Sequence, residues 1–400
     1  MNSTLLSPAV RAAVSGGSAI RKMFEQGIEL KKKYGADAVF DFSLGNPDLA
    51  PPPAVKAALE KIAASSGEPF ALGYMPNAGY PATREALARL VSREQATETP
   101  ASDVVVTVGA AGGLNVLFRA ILSPGDEVIV PSPYFVEYGF YAGNHGGVLR
   151  PVPAKAGDFS LDVSAIDAAI GPKTRAVLVN TPNNPTGQIY PAEDLAALGK
   201  ILACKSAEFG RVVYLVSDEP YRQLNYTGAP IPSMFAAYKH TVVVGSFSKT
   251  LSLAGERVGY LAVNPAIDGA EELLGGLILA NRILGFVNAP VVGQLILQSC
   301  ADKGVDAGIY KRRRDLMADE LRAAGVEFFL PKGAFYFFAK SPCADETKFV
   351  EALLAERILV VAGRGFGLAG HVRLAFCVEE KTILGAAEGF KRAAAAVRGL

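Results

Sequence analysis

The 400-residue sequence has no tryptophan and few residues of the kinds that build metal or disulfide sites. It contains four cysteines and three histidines, which are scattered along the chain without a CxxC or HExxH pattern. A chain of this length does not depend on disulfides for its core, and zinc sites use closely spaced pairs of ligands. The sequence therefore predicts neither a disulfide scaffold nor a metal site. The cysteines are Cys204, Cys300, Cys343 and Cys377.

An excess of charge of one sign is also lacking. Forty lysines and arginines against 39 aspartates and glutamates leave a formal net charge of +1. This balance gives no electrostatic reason to expect nucleic acid or an anionic membrane as a partner. The first residues lack the apolar stretch of a secretory signal, and the most apolar region, residues 273–297, is interrupted by Arg282 and several polar residues. The sequence predicts a cytoplasmic protein.

The sequence does contain enough apolar residues for a large globular core. Apolar residues make up 50% of the chain and charged residues 20%, and the length leaves room for two domains. Between residues 104 and 263, short β-branched runs alternate with helical patterns. This alternation predicts an α/β domain with a mostly parallel sheet flanked by helices. After about residue 300 the pattern changes, which predicts a smaller α+β domain.

The predicted organisation has three parts. An N-terminal segment, residues 1–45, is expected to pack on the small domain; residues 46–290 form the large domain, and residues 291–400 form the small C-terminal domain. Helices are predicted over Ser18–Tyr34, Gly113–Leu122, Ala192–Lys205 and Tyr310–Ala324, and from Glu379 onward. Strands are predicted over Val104–Val108, Glu127–Val130, Ala176–Asn180, Val213–Ser217, Thr241–Gly245, Val258–Val263, Phe335–Ala339, Ile358–Val361 and Val372–Phe376.

Chemically useful residues follow five of the predicted strands. Ligands of an open α/β sheet bind outside the carboxyl ends of its strands, so these residues are expected to share one crevice. Alone, the glycine-rich segment is equally typical of an ordinary turn, and the aromatic and Asn-Pro segments are more typical of packing or of a plain turn. Together, however, the five segments supply phosphate donors, ring faces, an amide, a carboxylate and a lysine. Pyridoxal 5′-phosphate, a phosphorylated aromatic aldehyde with a basic ring nitrogen, matches that set. The segments are Gly109–Gly113, Pro131–Phe135, Asn183–Gly187, Asp218 with Tyr221, and Ser246–Thr250 followed by Arg257.

A dinucleotide-binding pattern near the end of the chain supports a different function less well. Gly365, Gly367 and Gly370 form a GxGxxG pattern. Such a site needs a helix that begins at the glycines, whereas the predicted strand Val372–Phe376 follows almost at once. An NAD-linked oxidoreductase is therefore the weaker alternative.

The combined motifs resemble the class I aminotransferases of fold type I, the aspartate aminotransferase family, over nearly the whole chain. The core motif residues occur in the family's order, with 34 residues from Asn184 to Asp218 and 31 from Asp218 to Lys249. The resemblance implies the fold of that family, pyridoxal phosphate as the cofactor, and a homodimer with shared active sites. The similar segments are Phe42–Asp48, Gly73–Leu87, Asn184–Gly187, Asp218 with Tyr221, Ser246–Lys249, Arg257 and Val372–Phe376.

The resemblance also implies a role for each matched residue. Lys249 carries the coenzyme and moves the proton of the substrate Cα, and Asp218 keeps the ring nitrogen protonated. Asn184 and Tyr221 donate hydrogen bonds to the ring phenolate oxygen. Phe135 stacks on the ring. The phosphate is expected to contact Gly109, Ala110, Ala111, Ser246, Arg257 and, from the neighbouring subunit, Tyr74.

Substrate binding is implied for a second group of residues. Arg373 is the bidentate clamp on the substrate α-carboxylate, although an arginine at a strand end is by itself typical of an ion pair. Gly45 and Asn184 are expected to lie against the substrate. Arg282 and Arg364 are candidates for binding a side-chain carboxylate, and an ion pair at the surface or at an interface explains either arginine equally well.

Two departures from the family pattern affect these expectations. Ala110 and Ala111 occupy a phosphate turn in which hydroxyl donors are therefore missing, so backbone N–H groups must contribute more. Ala362 replaces a proline in the loop that carries Arg364.

We therefore expect a pyridoxal-phosphate-dependent aminotransferase of amino acid metabolism, acting in a biosynthetic process. It is expected to move an amino group from an L-amino acid to a 2-oxo acid, with 2-oxoglutarate as acceptor and an aspartate- or glutamate-type donor. A lyase or decarboxylase on the same fold is the alternative, because the same cofactor can promote cleavage of other bonds at Cα. A catalytically silent binding protein is disfavoured because Lys249, Asp218 and Arg373 are all present.

Overall fold

The computed structural model describes residues 5–16 and 19–398. The helices are Pro8–Gly16 (α1), Ala19–Tyr34 (α2), Pro53–Ser65 (α3), Pro81–Gln95 (α4), Gly109–Ile121 (α5), Tyr138–Gly143 (α6), Val163–Ala169 (α7), Ala192–Phe209 (α8), Met234–Ala237 (α9), Ala270–Ile283 (α10), Val291–Cys300 (α11), Ala307–Ala323 (α12), Glu346–Ala355 (α13) and Glu380–Val397 (α14). The strands are Phe40–Asp41 (β1), Val104–Thr107 (β2), Glu127–Ser132 (β3), Val148–Pro153 (β4), Thr174–Asn180 (β5), Tyr214–Asp218 (β6), Thr241–Ser246 (β7), Gly259–Val263 (β8), Tyr336–Lys340 (β9), Ile358–Leu359 (β10), Val361–Ala362 (β11) and His371–Ala375 (β12). Ser18, where we predicted the start of the N-terminal helix, lies outside the described residues.

The chain divides into two compact units, of which the larger comprises Asn46–Gly308 and Lys332–Ala334. Its seven-stranded sheet has the order β2-β8-β7-β6-β5-β3-β4. Neighbouring strands are parallel, except that β8 runs antiparallel to β2 and to β7. The predicted α/β fold with a mostly parallel sheet flanked by helices is confirmed.

Both faces of this sheet are buried, which explains the uninterrupted apolar runs. In β5, Val177 and Val179 belong to one apolar cluster, whereas Ala176 and Leu178 belong to the cluster on the other face. Successive side chains of a strand point to opposite faces, so each face needs apolar residues. Strand β4 lies at the edge of the sheet and leaves most of its side chains exposed or partly exposed. It therefore lacks the apolar run and was not predicted.

Helix α5 begins earlier than its sequence pattern indicates. We predicted a start at Gly113, but the helix begins at Gly109, directly after β2. A side chain at Gly113 would meet Val244 and Thr107 at 3.0 and 3.2 Å, so the small residues allow the helix to lie close to the sheet. The first backbone N–H groups of α5 therefore lie at the carboxyl end of β2.

The smaller unit comprises Met1–Gly45, Ile309–Pro331 and Phe335–Leu400. An antiparallel sheet in the order β11-β12-β9 forms part of it, and β1 pairs in parallel with β10 through Phe40 and Ile358. The N-terminal segment thus packs with C-terminal residues. The single strand predicted over Ile358–Val361 consists of two short strands, β10 and β11, which belong to different sheets.

The division between the units differs from the boundary that we predicted after residue 290. Helix α11 groups with the larger unit because it packs against α3 and α4. The side-chain Oε1 of Gln294, in α11, accepts a hydrogen bond from the backbone N–H of Tyr80 at 3.0 Å. The backbone carbonyl of Gln294 accepts one from the Thr83 hydroxyl at 3.0 Å. Residues 291–308 therefore lie in the larger unit.

Within residues 5–16 and 19–398, no helix is long and apolar enough to cross a membrane.

Candidate active site

The predicted cofactor residues lie at the carboxyl ends of adjacent strands. Strands β5, β6 and β7 are parallel neighbours in the sheet, and their last residues are Asn180, Asp218 and Ser246. The segments that follow these strands carry Asn184, Tyr221 and Lys249. The sequence-based expectation that these residues share one edge of the sheet therefore agrees with the strand order.

Asp218 is a buried carboxylate with one oxygen held and one oxygen unsatisfied. Its Oδ2 accepts a hydrogen bond of 2.5 Å from the hydroxyl of Tyr138 and one of 3.3 Å from Nδ2 of Asn180. Among the described residues, no group makes a hydrogen bond to Oδ1, which is buried. Burial raises the pKa of Asp218 to about 7, the hydrogen bond from Tyr138 opposes this rise, and the nearby charge of Glu219 adds to it.

This environment fits a cofactor with a cationic ring nitrogen. A buried carboxylate is stable in its ionised form only when a cation or hydrogen-bond donors compensate it. The pyridinium N–H of pyridoxal phosphate is a donor of that kind and would complete the set at Oδ1 of Asp218. The residues present therefore match the cofactor.

Asn180 connects two of the predicted cofactor residues. Its Nδ2 donates to the backbone carbonyl of Asp218 at 2.9 Å, and its Oδ1 accepts a hydrogen bond of 2.6 Å from the backbone N–H of Asn184. Asn184 and Tyr221 are themselves buried. The side chain of Asn180 thus links the backbone of Asn184, after β5, to Asp218 at the end of β6.

Lys249 lies in the turn after β7. It is partly exposed, whereas Ser248 and Thr250 on either side of it are buried. The backbone N–H of Leu251 donates to the carbonyl of Phe247 at 3.4 Å, which helps to close the turn. The side chain of Lys249 is therefore the accessible one at this end of β7.

A second group of polar residues is suited to binding a phosphate. The Oγ of Ser246 donates to the Oγ of Ser248 at 3.0 Å, and Arg257 Nη1 donates to that Ser248 oxygen at 3.4 Å. A side chain at Gly109 would meet Nη2 of Arg257 at 2.9 Å, so the guanidinium lies against the first residue of α5. Two hydroxyls, a guanidinium and the N–H groups of a helix N-terminus are donors of the kind that bind an anion.

Ala110 and Ala111 lie in the first turn of α5 and are partly exposed. Since neither has a polar side chain, they can contribute only backbone N–H groups to a bound phosphate.

The aromatic residues predicted for the site differ in their surroundings. Phe135 is partly buried and packs edge to face with Tyr138, with ring centroids 5.5 Å apart. Tyr74 is 94% exposed, and Phe70 close by in the sequence is 92% exposed.

Arg373 of the smaller unit is held in one orientation. Its Nη2 donates to the backbone carbonyl of Ser43 at 2.6 Å, and its guanidinium carbon lies 4.6 Å from the ring centroid of Tyr336 and 4.7 Å from that of Phe366. A side chain at Gly45 would lie only 1.9 Å from the hydroxyl oxygen of Tyr336. Glycine is therefore required at position 45 for this arrangement.

The two candidate arginines for a side-chain carboxylate have different environments. Arg364 Nε donates to Oε1 of Glu346 at 2.7 Å, and its Nη2 donates to Asp345 at 2.8 Å. Arg282 is exposed at the carboxyl end of α10 and forms no ion pair among the described residues. For Arg364, the ion-pair interpretation left open by the sequence is thus the favoured one.

Three residues at this end of the sheet were missed in the sequence analysis. Tyr138 follows Phe135 by three residues, or about one helical turn, and Asn180 is the last residue of a predicted strand. Ser248 is part of the segment Ser246–Thr250 but received no role. The sequence alone does not indicate that these residues contact Asp218 or Arg257, because the contacts form between separate segments of the folded chain.

Known proteins match this chain over nearly its full length. The family model described as aminotransferase class I and II matches residues 37–390. The aspartate/prephenate aminotransferase of Thermus thermophilus is 35% identical over 375 residues, covering 91% of this chain and 93% of that protein. The aspartate aminotransferase of Geobacillus stearothermophilus is 33% identical over 398 residues, covering 96% of this chain and 98% of that protein.

Solved structures show the same similarity. An aminotransferase from Eubacterium rectale has a TM-score of 0.94 and 35% identity, covering 98% of this chain and 99% of that chain. Aspartate aminotransferase from Thermus thermophilus with maleate has a TM-score of 0.85 and 34% identity, covering 97% of this chain and 99% of that chain.

The chain belongs to the class I and II aminotransferases, and within them to the aspartate aminotransferase family. It is a pyridoxal-phosphate-dependent transaminase that moves an amino group between an amino acid and a 2-oxo acid. The predicted family, cofactor and reaction class are confirmed, and the lyase alternative is not favoured.

Proposed function

We propose that pyridoxal phosphate binds at the carboxyl ends of β5, β6 and β7, and that Asp218 pairs with its ring nitrogen. The observation that carries this proposal is the buried, unsatisfied Oδ1 of Asp218, because a carboxylate in that state needs a cationic donor. Ser246, Arg257 and the first N–H groups of α5, at Gly109, Ala110 and Ala111, bind the phosphate. Asn184 and Tyr221 bind the phenolate oxygen of the ring, and Phe135 stacks on the ring.

Lys249 is the residue that carries the cofactor and transfers the proton. When bound, the cofactor supplies an electron-withdrawing ring that stabilises negative charge developing at the substrate Cα. With the cofactor bound, the amine of Lys249 would take the proton from the substrate Cα as a general base and return it as a general acid. Asp218 keeps the ring nitrogen protonated, and Tyr221 and Asn184 hold the ring oxygen while the proton moves.

Arg373 binds the α-carboxylate of the substrate, and Gly45 and Asn184 also lie against the substrate. The contacts that support the role of Arg373 are the carbonyl of Ser43 and the rings of Tyr336 and Phe366, which hold the guanidinium in one orientation. A rigid guanidinium can bind a carboxylate through two parallel hydrogen bonds.

The donor is a dicarboxylic amino acid such as aspartate or glutamate, and the acceptor is 2-oxoglutarate. The names of the relatives support this choice, and so does maleate, a dicarboxylate, in the Thermus thermophilus enzyme. Arg282 is the better candidate for the second carboxylate, because Arg364 already has two acidic partners. Arg364→Ala is expected to leave substrate choice unchanged.

The enzyme works as a homodimer in which Tyr74 reaches the phosphate of the neighbouring subunit. The exposure of Phe70 at 92%, Leu72 at 56% and Tyr74 at 94% supports this proposal, since exposed apolar stretches often mark interfaces. Analytical ultracentrifugation tests the dimer, and a monomer at micromolar concentration would refute it. The cytoplasmic location stays a prediction.

Borohydride reduction of the holoenzyme, followed by peptide mass spectrometry, tests the role of Lys249. We expect the cofactor to be fixed to Lys249, and Lys249→Ala to lower the transamination rate by about 10⁴-fold or more. Lys239→Ala, which removes a lysine paired with Asp268, is the control and should retain full activity. Cofactor fixed to another lysine, or full activity of Lys249→Ala, would contradict the assignment.

A further inference from the structure

Tyr138 and Asn180 converge on the same oxygen of Asp218 from two different elements. Tyr138 is the first residue of α6, and its hydroxyl lies 2.5 Å from Oδ2. Asn180 is the last residue of β5, and its Nδ2 lies 3.3 Å from the same oxygen. Both residues are buried. Two donors thus act on Oδ2, whereas Oδ1 has no hydrogen-bond partner among the described residues.

We infer that Tyr138 and Asn180 are positioning residues that fix the carboxylate plane of Asp218 and leave Oδ1 available to the ring nitrogen of pyridoxal phosphate. This inference rests on the proposed pairing of Asp218 with that nitrogen. Neither residue needs to touch the cofactor for this role, because each acts through Asp218.

The first physical reason is geometric. Rotation of a carboxylate about its Cβ–Cγ bond is soft, so the plane of the group is set by its hydrogen bonds. Two donors on one oxygen define that plane better than one donor does. Tyr138 is itself fixed, because its ring packs edge to face with Phe135 at 5.5 Å and against Tyr141 at 6.4 Å, and its backbone N–H donates to the carbonyl of Phe135 at 3.1 Å.

The second reason is electrostatic. Hydrogen bonds to a carboxylate stabilise its ionised form, and a hydrogen bond to a charged group is stronger than one between neutral groups. If the donors at Oδ2 are removed, the carboxylate becomes more basic and competes for the proton of the ring nitrogen. The ring would then withdraw electrons less strongly. Tyr138 and Asn180 therefore help to keep the proton on the cofactor.

Asn180 has an additional connection that Tyr138 lacks. Its Oδ1 accepts the backbone N–H of Asn184 at 2.6 Å. Loss of the Asn180 side chain is therefore expected to disturb both the contact of Asp218 with the ring nitrogen and the position of Asn184. Loss of the Tyr138 hydroxyl is expected to disturb only the contact of Asp218 with the ring nitrogen.

The test uses Tyr138→Phe and Asn180→Ala, each reconstituted with ¹⁵N-labelled pyridoxal phosphate. We expect the ¹⁵N chemical shift of the ring nitrogen to move from the protonated toward the unprotonated value in both variants. We also expect the Kd for the cofactor to rise about tenfold, the effect of losing one hydrogen bond to a charged group. In Tyr138→Phe the kcat should fall while the KM changes little, because that side chain is not expected to bind the substrate or to hold a residue that does.

Matched controls separate a positioning role from general destabilisation. Tyr238→Phe removes another buried hydroxyl, which bonds Ser206 at 3.0 Å, and Asn264→Ala removes another buried amide, which donates to Phe235 at 3.1 Å. Both controls should retain the native ¹⁵N shift and Kd. Equal changes in the controls, or native values in both site variants, would overturn the inference.

A third variant distinguishes failure of this inference from failure of the proposed cofactor site. Asp218→Asn should produce the largest ¹⁵N change if Asp218 faces the ring nitrogen. An unchanged shift in Asp218→Asn would refute the proposed site, whereas a changed shift there with native Tyr138→Phe and Asn180→Ala would refute only the positioning roles. Should Tyr138→Phe not fold, Asn180→Ala with Asn264→Ala as its control applies the same test.

Discussion

Two adjacent residues at the end of β6, Asp218 and Glu219, are both buried carboxylates in very different surroundings. Oε1 of Glu219 accepts a hydrogen bond from Ser217 at 2.8 Å, and its Oε2 accepts from Gln95 and from Arg222, each at 3.0 Å. Among the described residues, Asp218 has hydrogen-bond donors on Oδ2 only, and neither of these donors is a cation. One carboxylate is therefore compensated by the protein itself, and the other is not.

The difference separates a structural carboxylate from a functional one. A buried ion pair with satisfied hydrogen bonds needs no ligand, whereas a buried carboxylate with an unsatisfied oxygen is a candidate for binding a cation. Burial raises the pKa of Glu219 as well as that of Asp218, so the direction of the pKa shift does not distinguish them. The hydrogen-bond partners do.

The largest expected effect comes from Asp218→Asn. This substitution keeps the size of the side chain but removes the charge that we propose lies opposite the ring nitrogen, so the kcat is expected to fall by about 10³-fold, the scale of lost electrostatic stabilisation in an active site. The thermal unfolding temperature of the apoprotein should not fall, because an uncompensated buried charge is removed. Stopped-flow half-reactions and calorimetry measure the two effects, and a kcat within threefold of wild type would break the comparison.

Glu219→Gln should give the opposite result. Arg222 would lose its nearest anion, and breaking a buried ion pair on one side destabilises a protein by about 3–5 kcal/mol. The kcat of the folded holoenzyme should change little. Urea unfolding of the wild type and the variant measures the loss, with Glu208→Gln, which breaks a surface pair with Lys205, as the control that changes stability little.

The stability of the apoprotein should depend on pH through Asp218. Its pKa is raised from 3.8 to about 7 in the folded state, so the unfolded chain loses this proton first as the pH rises. The contribution of Asp218 to stability is therefore present below about pH 4 and is lost as the pH rises through 7, by at most about 4 kcal/mol.

This pH effect is measured as the difference between the wild type and Asp218→Asn. Burial raises the pKa of Glu94 to about 7 as well, but Glu94 is present in both proteins, so its effect cancels. Saturation with pyridoxal phosphate should reduce the difference, because the ring nitrogen compensates the carboxylate. Parallel curves for the two apoproteins between pH 4 and 8 would contradict the prediction.

The smallest expected effect concerns two arginines, which differ in whether the protein supplies them with acidic partners. Arg282→Ala is expected to raise the KM for aspartate about tenfold, the usual scale for one lost charged hydrogen bond, and to leave the KM for alanine unchanged. Arg364→Ala should change neither, because Arg364 is compensated by Glu346 and Asp345. Steady-state kinetics with both donors distinguish them, and an aspartate-specific defect in Arg364→Ala would reverse the assignment.

The sheet was predictable from the sequence to the extent that its strands are buried on both faces. The run Ala176–Val179 is apolar throughout because each face of β5 packs against a separate cluster. Strand β4 was missed because an edge strand needs no such run. The predicted boundary after residue 290 differs from the observed division because nothing local in the sequence indicates that α11 packs against α3 and α4.

The candidate site was predictable where a residue follows a strand within a recognisable motif. Asp218, Lys249 and Asn184 belong to that class. Tyr138 and Asn180 do not, because they reach Asp218 from 80 and 38 residues away in the sequence. Nor could the sequence distinguish Arg364 from Arg282, since ion pairing depends on which carboxylates lie nearby in space.

By itself, the sequence determined the fold class, the cofactor chemistry and the order of the motif residues, because buried strands, turns and strand-end motifs are local patterns. The tertiary structure alone decided which carboxylate is compensated, which oxygen of Asp218 is left open, and that Gly45 makes room for Tyr336. These features depend on distances between segments that are far apart in the chain, and hydrogen bonding and charge compensation are decided at those distances.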